Sequence, residues 1–149
     1  MRVLGRAASA AATTFMWMLR SAYWSSYTNT RFYPPYTFYS ETSTLNNASH
    51  ALLQIMPYDG KVVRISSWHQ RTNSRNTTLE MYINGDDDDP VGDQRGTDLV
   101  VTGNTQSFTA DCPADWTFSK GECISIGRTD TVSTYGTTMT FVIELDLTT

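Results

Sequence analysis

Residues 137–147 read TTMTFVIELDL, and this stretch is the strongest structural signal in the chain. Apolar side chains recur at every second position from Met139 to Leu147, while Thr138, Thr140 and Glu144 lie on the alternate positions. Because successive side chains of a β-strand point to opposite faces of the sheet, this alternation predicts a strand with one buried face and one exposed face.

The sequence upstream, from Ala51 onward, repeats this pattern in shorter pieces separated by turn residues. Thr77 to Ile83 alternates in the same way and predicts a half-buried strand, with Leu79, Met81 and Ile83 on its inner face. Further short strands are predicted at residues 51–56, 61–67, 98–102, 106–110 and 122–128. A series of seven or eight such strands predicts an all-β protein, an antiparallel β-sandwich of the jelly-roll type.

The N-terminal third of the 149-residue chain has a different character. We predict an extended N-terminal arm and linker at residues 1–50, followed by one sandwich domain at residues 51–149. Residues 7–19 are rich in alanine and could form a short helix, because alanine has the best helix propensity. Pro34 and Pro35 exclude a helix farther along the arm and favour extended backbone.

Charge is also divided between the two parts. Residues 1–31 contain four arginines and no acidic residue, whereas the rest of the chain contains seven basic and fifteen acidic residues. A short basic segment on an acidic body is typical of a segment that docks on another surface.

The arm holds ten of the eighteen aromatic residues. Large rigid side chains interleaved with arginines are enriched where protein interfaces bury most of their binding energy. We therefore predict a partner-binding surface made of Arg2, Arg6, Phe15, Trp17, Arg20, Tyr23, Trp24, Tyr27, Arg31, Phe32, Tyr33, Tyr36, Phe38 and Tyr39.

Other roles for the arm are weaker. It could fold back on its own sandwich and cover a sheet face or edge. Aromatic and arginine side chains also suit single-stranded nucleic acid, but four positive charges are few and the body is acidic, so no nucleic-acid partner is expected. No membrane partner is expected either, since the apolar run from residue 7 stops at Arg20 and is shorter than the roughly 20 residues that span a bilayer.

Signals for catalysis are poor, and we predict no enzymatic activity and no cofactor. The two histidines, His50 and His69, do not stand beside a nucleophile motif. Exposed aromatics such as Trp68, Trp116 or Tyr135 could stack on sugars, although isolated tryptophans in a small sandwich belong more often to the core.

Metal binding is also not expected. The carboxylates of Asp86 to Asp89 could hold calcium, but adjacent aspartates diverge, and a solvated loop tip is the better interpretation. Cys112 and Cys123 are too few for a zinc site. They flank a predicted turn and could form a disulfide between adjacent strands, but free thiols are the preferred interpretation.

Four turn-and-strand segments of the predicted sandwich resemble small jelly-roll proteins of tailed-phage virions, a group that includes capsid decoration or cement proteins and fibre tips. The segments are residues 57–65, 78–85, 118–126 and 141–146. The resemblance covers roughly residues 51–147 and consists of a rhythm of strands without a catalytic or ligand motif. It does not include the arm.

The resemblance implies a homotrimeric structural protein on a virus shell or fibre. Combined with the aromatic arm, it leads us to expect a decoration or cement protein on the capsid surface, bound through the arm to the major capsid protein or other virion proteins. The alternative is a receptor-binding fibre tip or adhesin head of a phage tail, with a host glycan or protein as its target.

Overall fold

The computed structural model describes residues 13–25, 31–32, 54–70, 75–84, 93–103, 106–132 and 135–148. Within these ranges the chain forms ten β-strands and no helix, and every strand pairing is antiparallel. The strands make two sheets of five strands each. The prediction of an all-β, antiparallel protein is therefore confirmed.

Sheet A contains the first and the last strands of the fold. Its order is β1 (Thr14–Ser25), β10 (Tyr135–Asp146), β4 (Gly60–His69) and β7 (Ser107–Asp111), and the short β8 (Thr117–Phe118) also pairs with β4. β1 and β10 pair along the whole of β1, from Thr14 opposite Asp146 to Ser25 opposite Tyr135. The strongest predicted strand thus lies inside sheet A, between β1 and β4.

Sheet B has the order β2 (Arg31–Phe32), β9 (Cys123–Asp130), β5 (Arg75–Ile83) and β6 (Asp93–Gly103). The short β3 (Gln54–Ile55) pairs with β9 on the same side as β2, at the other end of that strand. β5 therefore lies between β9 and β6, and its hydrogen bonds on both sides are used.

One apolar core lies between the sheets. Buried side chains from both sheets and from two connecting segments form a single cluster: Leu19, Met56, Val62, Ile65, Leu79, Met81, Ile83, Trp116, Phe118, Ile124, Ile126, Met139, Phe141, Ile143 and Leu145. Two antiparallel sheets that bury their facing sides against each other have the arrangement of a β-sandwich.

The alternation in β10 is confirmed as far as Leu145. Met139, Phe141, Ile143 and Leu145 are buried, whereas the threonine and acidic side chains between them reach solvent. The prediction is wrong for Leu147, which is 43% exposed because the strand ends at Asp146.

β5 differs from its prediction as a half-buried strand. Leu79, Met81 and Ile83 point into the core as predicted, but Glu80 and Tyr82 on the opposite face are buried as well. The outer face of sheet B is therefore covered around the middle of β5, which alternation alone did not indicate. A strand buried on both faces cannot be recognised by apolar side chains on one face only.

The predicted helix at residues 7–19 is wrong from Thr14 onward, where the chain is β-strand. The alanines that favoured a helix lie in residues 7–12, outside the described part of the chain. From Thr14 to Leu19 the sequence is TFMWML, and tertiary pairing with β10 overrides the modest helix propensity of such a stretch.

The same pairing places part of the predicted arm inside the sandwich. Residues 14–25 belong to sheet A, although the predicted boundary between arm and domain lay at residue 50. Residues 14–25 therefore fit the alternative interpretation, in which the arm folds back on its own sandwich and covers a sheet edge. Asp86 to Asp89, predicted to form a solvated loop tip, lie outside the described residues, and β6 begins at Asp93.

No helix in the described ranges combines the length and apolar character needed to cross a bilayer.

Candidate functional site

The side chains of β1 that point away from the core form an apolar strip on the outer face of sheet A. Leu19 is buried, so its neighbours along the strand, Met18 and Arg20, point outward. Met16 and Met18 are 54% and 66% exposed. Neighbouring exposed apolar side chains often mark an interaction surface. Methionine suits such a surface because its flexible side chain adapts easily to apolar contacts.

The inward side of β1 becomes exposed toward its beginning. Leu19 is buried, Trp17 is partly buried and packs against the core, and Phe15 is 54% exposed. Residues 15–18 therefore present large apolar side chains on both faces of the strand. We call Phe15, Met16 and Met18 the β1 patch.

The rest of the outer face of sheet A is mostly polar. Register places Met18 beside Val142, then Arg64, whose guanidinium forms a 2.7 Å ion pair with Asp111. Farther along β4 on the same face, Trp68 is 47% exposed. The outer face thus has an apolar side along β1 and a separate exposed tryptophan.

A buried polar cluster lies at one end of the core and joins the two sheets. The Arg128 guanidinium donates hydrogen bonds to both carboxylate oxygens of Asp130, at 2.8 and 2.9 Å. It also donates to Ser67 Oγ, at 2.9 Å, and lies 2.9 Å from His69 Nδ1. Thr77 Oγ1 donates to the same carboxylate. Arg128 and Asp130 come from sheet B, whereas Ser67 and His69 come from sheet A.

The chemistry of this cluster is that of a structural bridge. Arginine can only donate, so the His69 nitrogen that faces Arg128 must be an acceptor and carries no proton. Ser67 accepts from Arg128 and donates to the Thr138 carbonyl, which occupies its hydroxyl proton. Arg128 and His69 are almost completely shielded from solvent. The geometry therefore presents no accessible nucleophile–base pair at this cluster.

A shallow groove of about 380 Å³ crosses the end of the sandwich near the 57–60 turn. Its two basic side chains are paired within the protein: Lys61 lies 3.3 Å from Glu144, and Arg95 lies 3.4 Å from Glu122 just outside the groove. The other two acidic side chains of the lining accept hydrogen bonds, Asp59 from the Lys120 amide and Asp146 from Thr148. In the described ranges no three histidine, cysteine or acidic side chains converge as metal ligands.

The predicted partner-binding residues fall into three groups. Phe15, Trp17, Arg20, Tyr23 and Trp24 lie in β1, and Arg31 and Phe32 form β2 of the other sheet. Arg2, Arg6, Tyr27, Tyr33, Tyr36, Phe38 and Tyr39 lie outside the described residues. The structure therefore brings the first group together on one strand and does not join it to β2.

Met16 and Met18 are not among the predicted partner-binding residues, all of which are aromatic or basic. The signal was present in the continuous apolar run at residues 15–19, which places apolar side chains on both faces of a strand. A strand that is apolar on both faces is either central or covered, and β1 is at the edge of sheet A among the described strands.

Of the two possible sugar-stacking tryptophans that are described, Trp116 is fully buried and belongs to the core. Trp68 alone of this pair retains an exposed ring.

The two cysteines are free and lie apart in the fold. Cys112 follows β7 of sheet A, and Cys123 begins β9 of sheet B, so the alternative of a disulfide between adjacent strands is wrong. Burial, with a smaller contribution from the Asp111 carboxylate, raises the pKa of Cys112 to about 12. Burial also raises the pKa of Cys123.

We expect Cys112 to resist alkylation in the folded protein. A thiol whose pKa rises from 9.0 to about 12 has a roughly 1,000-fold smaller thiolate fraction at pH 8. Timed iodoacetamide labelling with peptide mass spectrometry measures this, with urea-unfolded protein as the control. Equal labelling rates of Cys112 in folded and unfolded protein would contradict the expectation.

No protein-family model matches the chain, and no curated protein matches it.

Proposed function

We propose that the sandwich is a jelly roll and that the protein is a structural component of a virus particle, a decoration or cement protein on the capsid surface. Apart from the short β3 and β8, each strand pairs with its counterpart counted from the other end of the chain: β1 with β10, β2 with β9, β4 with β7, and β5 with β6. Such nested pairing is expected when one long hairpin rolls into two sheets, which supports the jelly roll.

The β1 patch is the observation that carries the functional proposal. Phe15, Met16 and Met18 expose apolar surface on a strand held along its whole length by β10. A rigid strand loses little conformational entropy when it binds, so its apolar side chains can contribute most of their burial energy to an interface. This supports a binding role for β1 and the residues that precede it.

Charge supports the same orientation. Arg20 lies next to the patch, and Arg2 and Arg6 precede β1 in the chain, whereas the sandwich domain is acidic. In the proposed arrangement β1 and the N-terminal residues face the shell, and the acidic remainder of the sandwich faces solvent. Basic residues at the contact would steer the protein toward acidic surfaces of capsid subunits.

A cement protein stabilises a shell through many equivalent contacts. Each contact binds the assembled shell in preference to free subunits, so occupancy opposes disassembly by mass action. Several copies joined in an oligomer bind more tightly than one, since the later contacts form at high effective concentration. The resemblance to phage jelly-roll proteins implies a trimer for this purpose.

A catalytic role has less support. The residues with the richest chemistry, Arg128, Asp130, His69 and Ser67, are buried and hydrogen-bonded to one another. They join the two sheets, and their burial leaves them little contact with solvent. We therefore propose a non-enzymatic protein.

The alternative is the head of a fibre tip or adhesin, and Trp68 is the observation that favours it. Its ring is 47% exposed on the outer face of sheet A, where a flat apolar ring could stack on a sugar of a host glycan. In that role β1 would join the head to a stalk.

Quantitative mass spectrometry of purified virus particles tests the proposal. The measurement is the copy number of this chain relative to the major shell protein. We expect hundreds of copies per particle, because a cement protein occupies repeated shell sites. A few copies to a few dozen would support the fibre alternative, and absence from particles would overturn both.

A further inference from the structure

β1 has a free edge whose backbone groups can be assigned from its pairing with β10. The Leu147 amide donates to the Thr13 carbonyl at 2.7 Å, so the backbone groups of Thr13 point toward β10. In an antiparallel strand the amide and carbonyl of one residue point to the same side, and the side alternates along the strand. The amides and carbonyls of Met16, Met18 and Arg20 therefore point to the opposite edge.

No other strand of the described ranges pairs with that edge. The side chains of the same residues are exposed, with Met18 at 66%, so the outer face beside the edge is uncovered. A long edge without a bulge is a template for further strand pairing, and β1 pairs with β10 over twelve residues without a register shift.

Two other edge strands of the described ranges, β7 and β6, are protected. β7 has only five residues and ends at Asp111. β6 is long, but its pairing with β5 is interrupted by a bulge, and Gly96 within it has a φ of 78°. It also carries Asp93, Arg95 and Asp98. Short edges, bulges and charges are the features that prevent edge-to-edge association, and β1 has none of these except Arg20.

We propose that two copies of the chain associate through β1, edge to edge and antiparallel, so that the two A sheets become one continuous sheet. The occupant is a second copy because an antiparallel strand edge is complementary to itself. A two-fold axis perpendicular to the sheet brings each outward amide opposite an outward carbonyl of the same strand in the second copy.

The side chains select a register centred on Met18. Met18 then lies opposite Met18 of the second copy, so these two apolar side chains meet on the outer face. In the same register Arg20 lies opposite Met16. The two Arg20 residues are about 14 Å apart along the strands, which exceeds the screening length at moderate salt. A register centred on Arg20 would place the two cations directly opposite each other, which is unfavourable.

This pairing is independent of the proposed function and differs from the trimer that the resemblance implies. A two-fold axis joins two copies of one edge, whereas a three-fold axis needs two different edges to meet. A chain that proves to be monomeric would not change the copy number expected in virus particles. A chain that is absent from virus particles could still pair through β1.

The first test is the molar mass of the purified full chain over a range of concentrations, by sedimentation equilibrium. We expect a monomer–dimer equilibrium. Met18→Pro removes an amide that points to the free edge, and Met18→Lys places a charge beside the axis, and each should raise the dissociation constant at least about tenfold.

Thermal unfolding of the same variants separates loss of pairing from loss of fold. The Met18 amide makes no bond to β10, so Met18→Pro and Met18→Lys should melt close to the wild-type monomer. Trp17→Pro removes an amide that faces β10 and should lower the melting temperature strongly, which checks the assignment of the edges. A wild-type monomer at all concentrations would overturn the proposal, as would an oligomer unaffected by both Met18 variants.

The second test is covalent capture. In the proposed register the Cα atoms of the paired Met18 residues are about 5.5 Å apart, a distance that a disulfide spans. Met18→Cys should give a 18–18 linked dimer on mild oxidation, identified by peptide mass spectrometry. Val100→Cys, an exposed site on the bulged edge strand β6, is the matched control and should remain monomeric. Equal cross-linking of both variants would contradict pairing through β1.

Discussion

Replacing Asp130 by asparagine is expected to lower the free energy of unfolding by about 3–5 kcal/mol. The substitution keeps the size of the side chain and removes only its charge. Since a domain of this size is stable by roughly 5–15 kcal/mol, the variant loses a large share of its stability and should melt at a clearly lower temperature than the wild type.

The physical reason is the buried guanidinium of Arg128. Its side chain has no exposed surface, and both carboxylate oxygens of Asp130 accept its hydrogen bonds. Without the negative charge, Arg128 remains between the sheets as a buried cation that has lost its carboxylate partner, although Ser67 and His69 still contact it. An asparagine amide would also direct its own donors toward a group that has no acceptor.

Urea unfolding followed by tryptophan fluorescence measures the change. Asp111→Asn is the matched control, because it removes the same charge from the Arg64–Asp111 pair, whose side chains are 55% and 75% exposed. Its cost should stay below about 1 kcal/mol. The double variant Arg128→Met with Asp130→Asn should be more stable than Asp130→Asn alone, since the unpaired cation is then gone. Equal costs at residues 130 and 111 would show that the cluster does not depend on the buried charge.

Replacing Trp116 by alanine is expected to cost about 3–5 kcal/mol of unfolding free energy. Trp116 is completely buried in the core cluster, so truncation leaves a large cavity between the sheets. Its backbone carbonyl accepts from the Val62 amide of β4, and its indole Nε1 donates to the Thr97 carbonyl of β6 at 2.8 Å. One residue thus ties the 112–116 segment to both sheets.

Two variants separate these contributions. Trp116→Phe keeps most of the apolar volume and loses the indole donor, and should cost less than Trp116→Ala. Trp68→Ala removes an equally large side chain that is 47% exposed, and should cost clearly less than Trp116→Ala. Chemical denaturation followed by far-ultraviolet circular dichroism is the suitable readout, because each variant lacks a tryptophan. A Trp68 variant as unstable as the Trp116 variant would contradict the assignment of Trp68 to the surface.

The two predictions concern the rigidity on which the proposed roles depend. A strand that presents a binding patch needs a fixed support, and β1 is attached to β10, whose inward side chains fill the core. The Arg128 cluster and Trp116 join the sheets at different places. Weakening either should therefore impair binding through β1 indirectly, by loosening the sandwich.

Much of the architecture could be predicted from local pattern. In β10 and β5 the inward positions carry apolar side chains at a period of two, which predicts a strand and assigns its inner face. Turn residues also indicated useful boundaries: residues 57–59 lie between β3 and β4, and Gly121 has the positive φ that glycine allows. The strands and the inner faces of the sandwich were therefore readable from neighbouring residues.

The candidate site was predictable only in part. Phe15, Trp17 and Arg20 were selected because aromatic and arginine residues are concentrated near the N-terminus, but Met16 and Met18 were not selected. Exposure of these methionines depends on the outer face of sheet A being uncovered beside β1, and the pairing of strands and the covering of a face are both set by contacts between residues far apart in the chain. Thr14 pairs with Asp146, for example, across almost the whole sequence.

The alternating pattern of single segments was sufficient to establish that this chain forms antiparallel strands and which side chains of β10 enter the core. Pairing between distant segments settled the rest: residues 14–19 became a strand where alanine-rich sequence suggested a helix, Glu80 and Tyr82 were buried on a second face, and Arg128 met Asp130 and His69 between the sheets. Periodicity is a local consequence of backbone geometry, whereas burial and edge position depend on which distant strands come together, because burial is set by the whole set of neighbours.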